Sequence, residues 1–147
     1  MAVFTKLNGF VEHLAEGVHR LGTDQLMIAL SNVAPGSESV NPNSSTGACV
    51  LANITQISYT NLSSRNIAVA SSSQTGGVYT LVVNDITLNA TGGSVGPFRY
   101  VYIFNDTPTT PADPLIGYYD YGGSVTLNNG ESLIINFDSG TNVLVQI

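Results

Sequence analysis

The chain is short of charge. Only 10% of its 147 residues are Asp, Glu, Lys or Arg, against about 25% in an average soluble domain. Its only Lys and Arg residues are Lys6, Arg20, Arg65 and Arg99, and the formal net charge is −6. Cations so few and scattered cannot neutralise a run of phosphates, which excludes a nucleic-acid partner. Cys49 stands alone, so neither an internal disulfide nor a multi-cysteine metal site can form. Trp is absent, which counts against a sugar-stacking platform. No apolar run approaches the ~18 residues of a membrane-spanning helix, and no membrane partner is expected. The opening "MAVFTKLNGFVEHLAEGVHR" breaks its apolar positions with charges instead of building a signal-peptide core, so synthesis in a cytoplasm is expected.

Hydroxyl and amide take the place of charge. Ser, Thr and Asn together number 43 and Gly adds 15; Thr favours sheets, while Asn, Ser and Gly favour turns. A chain so composed produces N-x-S/T sequons by chance, and those at Asn43, Asn53, Asn61, Asn89 and Asn105 are read in that way. At this length, 43% hydrophobic residues suffice for one domain with a sizeable core.

Phe4, Leu7, Val11, Leu14, Val18 and Leu21 recur every three or four residues, which predicts an amphipathic helix from Phe4 to Leu21 with Gly22 as its C-terminal cap. Gly17 falls inside that helix at a cost of about 1 kcal/mol relative to Ala. "DQLMIALSN" alternates as a strand. From Ala34 to Thr60 the pattern dissolves into Pro, Gly, Ser and Asn, an irregular arm of the kind that is functional or disordered.

Beyond Asn61 the signals are regular. "RNIAVA", "GVYTLVV", "DITLNA", "PFRYVYIF", "PLIGYYDY", "SVTL", "SLIINF" and "NVLVQI" read as strands, separated by "SSSQTGG", "TGGSVG", "NDTPTTPAD", "GG", "NNGE" and "DSGT". Such spacing is the signature of an antiparallel β-sandwich or jelly-roll-like body, and the last three runs read as a meander of hairpins. The expected organisation is a helix-plus-strand element over 1–34, an arm over 35–60 and a β-body over 61–147, or these three merged into one domain over 1–147.

Seven of the chain's twelve aromatics lie between Gly92 and Gly123. In "FRYVYIF", Phe98, Tyr100, Tyr102 and Phe104 alternate with Arg99, Val101 and Ile103, so both faces are mostly apolar and the strand is read as central. Gly117 interrupts the next strand as a bulge or a close backbone approach does. The plain reading of the cluster is core plus a half-exposed tyrosine ladder. The sharper reading is a contact surface of Tyr100, Tyr102, Tyr118, Tyr119 and Tyr121, since Tyr offers a rigid area with a polar tip.

No catalytic constellation assembles. His13 and His19 lie about 120° apart on a helix, so they cannot share a metal as an i,i+4 pair does, and both read as solvent-facing or interface residues. Cys49 sits among apolar neighbours with no cation nearby and reads as an inert thiol. Asp106, Asp113, Asp120 and Asp138 stand at strand ends and turns, where Asp closes the turn, and no spacing argues for a glycosidase pair. "NDTPTTPAD" lacks the alternating ligands and glycine of an EF-hand loop. Arg99, in a central strand, needs a carboxylate, and a structural ion pair with Asp120 is expected, Asp106 being the alternative. Without a phosphate loop or a nucleophile elbow, neither enzymatic activity nor a cofactor is expected. Binding or assembly remains.

"FVEHLAEGVHRLGTDQLMIALSNVAP", "SSSQTGGVYTLVVNDITLNATGGSVGPFRYVYIFNDT" and "DPLIGYYDYGGSVTLNNGESLIINFD" resemble small proteins that tailed bacteriophages encode among their head genes, the capsid decoration or cement proteins. The resemblance runs from Phe10 to Asp138 and breaks across Gly36–Ser63. It implies a non-enzymatic virion component, made in the host cytoplasm and added to the capsid exterior where capsomers meet. Its partners would be the major capsid protein and itself, as a homotrimer first and a homodimer next. An amphipathic helix beside a complete β-body needs an apolar surface to cover, either its own sheet, the plain reading, or a neighbour; in the second case the shell or subunit contacts are Phe4, Leu7, Phe10, Val11, Leu14, Val18 and Leu21 with Val40, Val50 and Leu51 of the arm. The alternatives are a phage tail or fibre component and a glycan- or receptor-binding β-module that stacks sugars on Tyr118, Tyr119 and Tyr121.

Overall fold

Gly17 stops the helix after about two turns. It adopts φ 79°, and the N–H groups of Gly17 and Val18 donate to the carbonyls of Leu14 and His13, the paired bonds by which a left-handed residue closes a helix C-terminus. The helix, α1, is therefore Asn8–Ala15, not Phe4–Leu21. Phe4 lies instead in a short strand, and Gly22 is no cap.

The computed structural model describes residues 3–137 and 143–147, with Val143 described by its backbone alone. Around α1 run ten strands: β1 (Phe4–Lys6), β2 (Leu26–Ser31), β3 (Asn66–Ile67), β4 (Val69–Thr75), β5 (Val78–Val83), β6 (Ile86–Asn89), β7 (Val95–Asn105), β8 (Leu115–Leu127), β9 (Ser132–Ile135) and β10 (Val143–Gln146). They form a five-stranded sheet in the order β1-β8-β7-β2-β3, a three-stranded sheet β10-β5-β4 and a two-stranded sheet β6-β9, every pair antiparallel. The protein is mainly β, with one helix among the described residues.

Three expectations about the strands are corrected. "SSSQT" continues β4 instead of turning, because a two-glycine turn at Gly76–Gly77 brings β5 back against it. "PLIGYYDY" and "SVTL" are one strand, β8, whose two parts flank Gly122 and Gly123. The last three runs form no meander: β8, β9 and β10 enter three different sheets, β9 pairing with β6 and β10 with β5. The turn "DSGT" lies outside the described residues.

Alternation on β2 shows how the layers are filled. Leu26, Ile28 and Leu30 face one core with Leu81, Val83, Leu88, Val101, Ile103, Ile135 and Leu144, so the large sheet packs on the two smaller ones in a sandwich-like body. Ala29 faces the other way, into a second cluster with Leu7, Cys49, Ile54, Tyr100, Tyr102, Phe104 and Leu115. Phe98 joins the first core while Tyr100 joins the second. The expected common face for these two residues breaks where the β7–β8 register slips between them.

The second face is covered by the segment expected to be a free arm. Cys49 and Ile54 are buried there, bridges link Val50 to Pro114 and Ser31 to Gln56, and 3-10 turns form at Pro35–Ser37 and Leu51–Asn53. Because β1 and β2 share a sheet with β7 and β8, segments 1–34, 35–60 and 61–147 share one body.

Candidate functional site

The helix stripe closes on the chain's own sheets. Leu7 and Phe10 have no exposed surface and Leu21 is buried, so these three belong to the core and cannot serve as the contacts expected of them. Truncating a core phenylalanine to Ala typically removes 3–5 kcal/mol. Phe4, Leu14, Val18, Val50 and Leu51 are half-buried, with Phe4 and Leu14 against the first core and Leu51 against the second. Of the expected contact set only Val11 and Val40 are exposed, at 50% and 45%.

These two valines sit on a layer that is already built. The Asn8 N–H donates to Asn43 Oδ1 at 2.7 Å and Thr46 Oγ1 to Glu12 Oε2 at 2.7 Å, which ties the arm to α1. A Cβ at Gly9 would lie 2.6 Å from Cys49 Cβ, so glycine is what lets helix and arm meet. Glu38 accepts from both the backbone N–H and the hydroxyl of Thr55, folding the arm on itself.

The tyrosines are mostly interior. Tyr102 is fully buried, Tyr100 and Tyr119 nearly so, and Tyr118 and Tyr121 are half-buried. Tyr118 packs its ring 5.3 Å from Tyr102 and 6.2 Å from Tyr100, while Tyr119 meets Phe4 at 5.3 Å. The plain reading, core plus a half-exposed ladder, fits this packing better than the sharper one of a contact surface, because β7 and β8 are inner strands covered on both faces.

Arg99 and Asp120 meet through two bonds, Nε to Oδ1 at 2.7 Å and Nη2 to Oδ2 at 3.0 Å. The pair is no buried one: both side chains are about two-fifths exposed, since Arg99 points outward from a strand whose neighbours point in. The guanidinium, and then the Gly122 N–H on Oδ1, hold the Asp120 carboxyl below the usual range.

His13 and His19 are the largest departure from the sequence reading. Both are buried, with rings 6.1 Å apart, because the chain reverses at Gly17 and folds His19 back over α1. Asn105 Nδ2 lies 3.2 Å from His19 Nδ1 and donates to Asp24 Oδ2 at 2.7 Å, while its Oδ1 accepts from the Thr107 N–H. Burial first, then the charge of His13, pushes His19 down to about 4. His19 also borders an apolar cleft of about 400 Å³ with Leu14, Leu21, Tyr79 and Ile147. No sequence signal marked Asn105 or Asp24, since the contacts span more than 80 positions.

Cys49 is buried and its thiol pushed up to about 11 by that burial, a form that does not attack. In the "NDTPTTPAD" loop the Asp113 carboxyl is raised, first by burial and then by Asp106. Among the described residues no three of His, Cys, Asp and Glu stand together as a metal-holding group. No helix among them is long and apolar enough to cross a membrane. Compared with known proteins, the chain matches no family model, no curated protein and no solved structure.

Proposed function

We propose that the protein is a non-enzymatic virion component that binds the exterior of an expanded bacteriophage capsid where capsomers meet and stabilises it there, with the major capsid protein and further copies of itself as partners. The resemblance of residues 10–138 to phage head decoration proteins suggests the class. The observation that carries it on this molecule is the α1–arm layer. It is held in one shape by hydrogen bonds before any partner arrives, and it leaves Val11 and Val40 outward.

A preformed contact loses little conformational entropy on docking. Many such copies on a symmetric shell bind by avidity, and binding to the expanded shell alone stabilises that state by mass action. The test is to mix the purified protein with expanded heads, sediment them and count the copies retained. Saturable binding of many copies, with raised resistance to heat or osmotic shock, supports the reading; Val11→Asp and Val40→Asp should each lower the count without unfolding the protein. Heads that retain none overturn it. A glycan-binding reading gains nothing from the tyrosines, which lie in the sheet.

A further inference from the structure

We infer that β4 is a self-pairing edge, by which two copies of this chain join about a two-fold axis at Ser73 into one six-stranded sheet, β10-β5-β4-β4-β5-β10. Among the described residues β4 has β5 on one side and no strand on the other. Which of its backbone groups face that open side follows from the hairpin. Gly76 and Gly77 both have positive φ, 60° and 84°, so they form the two-residue turn in which the flanking residues exchange both hydrogen bonds. Those flanking residues are Thr75 and Val78. Bonding then alternates along an antiparallel ladder, so Thr75, Ser73 and Ser71 bond inward to β5, while Gln74 and Ser72 turn their N–H and C=O groups outward.

The regular part of the ladder runs from Ser71, just past the bulge beside Val69, to Thr75 at the turn. Its midpoint is Ser73. A two-fold axis there sets Ser72 of each copy opposite Gln74 of the other, and each of these pairs exchanges two bonds. The edge is thus complementary to itself, and an isologous antiparallel contact closes at two copies.

The occupant is a second copy because nothing on the strand opposes one. Exposed edges are ordinarily protected by lysine, proline, a bulge or an inward charge. Past the bulge beside Val69, the stretch "SSSQT" has none of these, and residues 70–75 are all exposed. On a chain of net charge −6, an uncharged strand is where a like-charged copy approaches with least repulsion. Ser73 pairs with Thr80 on the face of the sheet away from Leu81, so a change at Ser73 leaves the core untouched. The pairing does not depend on the capsid reading and favours a dimer over a trimer.

Sedimentation equilibrium of the full chain without heads tests it. The wild type should run at twice 15.4 kDa at tens of micromolar. Ser73→Lys and Ser73→Glu, each placing like charges across the axis, should weaken self-association at least about 100-fold, and an equimolar mixture of the two should restore the dimer. Should either variant misfold by circular dichroism, Ser73→Cys decides: mild oxidation should link it into covalent dimers, while the wild type, with only the buried Cys49, does not link. A wild type that stays monomeric at hundreds of micromolar or forms a trimer, charge variants that associate as well as the wild type, or a Ser73→Cys protein that fails to cross-link each overturn the inference.

Discussion

Asn105 gives one amide hydrogen to His19 Nδ1, at 3.2 Å, and the other to Asp24 Oδ2, at 2.7 Å. The Thr107 N–H on Asn105 Oδ1 fixes the amide this way round. His19 Nδ1 must then be an acceptor, so the imidazole is neutral and carries its hydrogen on Nε2, which is buried without a partner. One asparagine at the end of β7 therefore sets the tautomer of a histidine 86 positions earlier and holds the turn after α1 to the large sheet.

A pH dependence follows from this arrangement. Unfolded, His19 takes a proton as pH falls through 6.5; folded, it resists until about 4. The stability owed to its neutral form is complete above 6.5, falls as pH drops toward 4 and levels off below, a loss of about 3 kcal/mol across the window. His19→Gln keeps an acceptor for Asn105 and does not titrate. Urea denaturation at pH 7.5, 5.5 and 4 should show a smaller decline in that variant; an unchanged decline would assign the effect to other groups.

Tyr102 likewise buries a polar atom with no partner, its hydroxyl. Burial leads the causes that raise its pKa well beyond the ordinary range of tyrosine, so it stays protonated. Tyr102→Phe removes an unsatisfied polar atom and keeps the ring against Tyr118. The variant should equal or exceed the wild type, by about 1 kcal/mol, in chemical denaturation.

Gly117→Ala should be severe. An added Cβ would stand 2.5 Å from the Thr5 carbonyl oxygen and strike the Phe4 ring, at the point where Lys6 of β1 pairs with Gly117. Either β1 shifts or β8 bends, and overpacking of this kind costs about 1–3 kcal/mol. Thermal melts compare it with Gly123→Ala, whose Cβ meets nothing and whose effect should be small.

Removing the Arg99–Asp120 pair should cost little. With both side chains about two-fifths exposed, Asp120→Asn keeps the shape of the carboxylate while ending the charge pair, and the expected loss in chemical denaturation is small and smaller still in high salt. Because the amide keeps Oδ1 as the acceptor of the Gly122 N–H, a large loss unmoved by salt would overturn the reading of a weak, screened pair.

Where a residue's role depended on its near neighbours, it was legible in the sequence. Leu26, Ile28 and Leu30 alternate onto one core as their spacing predicts, and Gly117 is a close-approach glycine. Where the partner lies far along the chain, spacing misled. Phe4, Val18 and Leu21 fit a helical period although α1 spans only Asn8–Ala15, because a short strand and a turn can supply apolar residues at the same intervals. The glycine in "AEGVHRLG" that stops the helix is the first, not the second, and only φ distinguishes them. Turns revealed where β9 begins but not that it pairs with β6. Of the expected contact residues, the sequence could not separate Phe10, buried, from Val11, its exposed neighbour, because that depends on which way a single short helix is rolled.

The pairing of β1 with β8 joins Phe4 to Tyr119, neighbours in a sheet that runs on from β8 through β7 to β2 and β3. During synthesis β1 therefore emerges long before its neighbour exists and waits, unpaired, until β8 is made. Contacts this distant slow folding. The large sheet should close only after β8 has been made, and β1 is exposed in the meantime to being captured by the wrong strand.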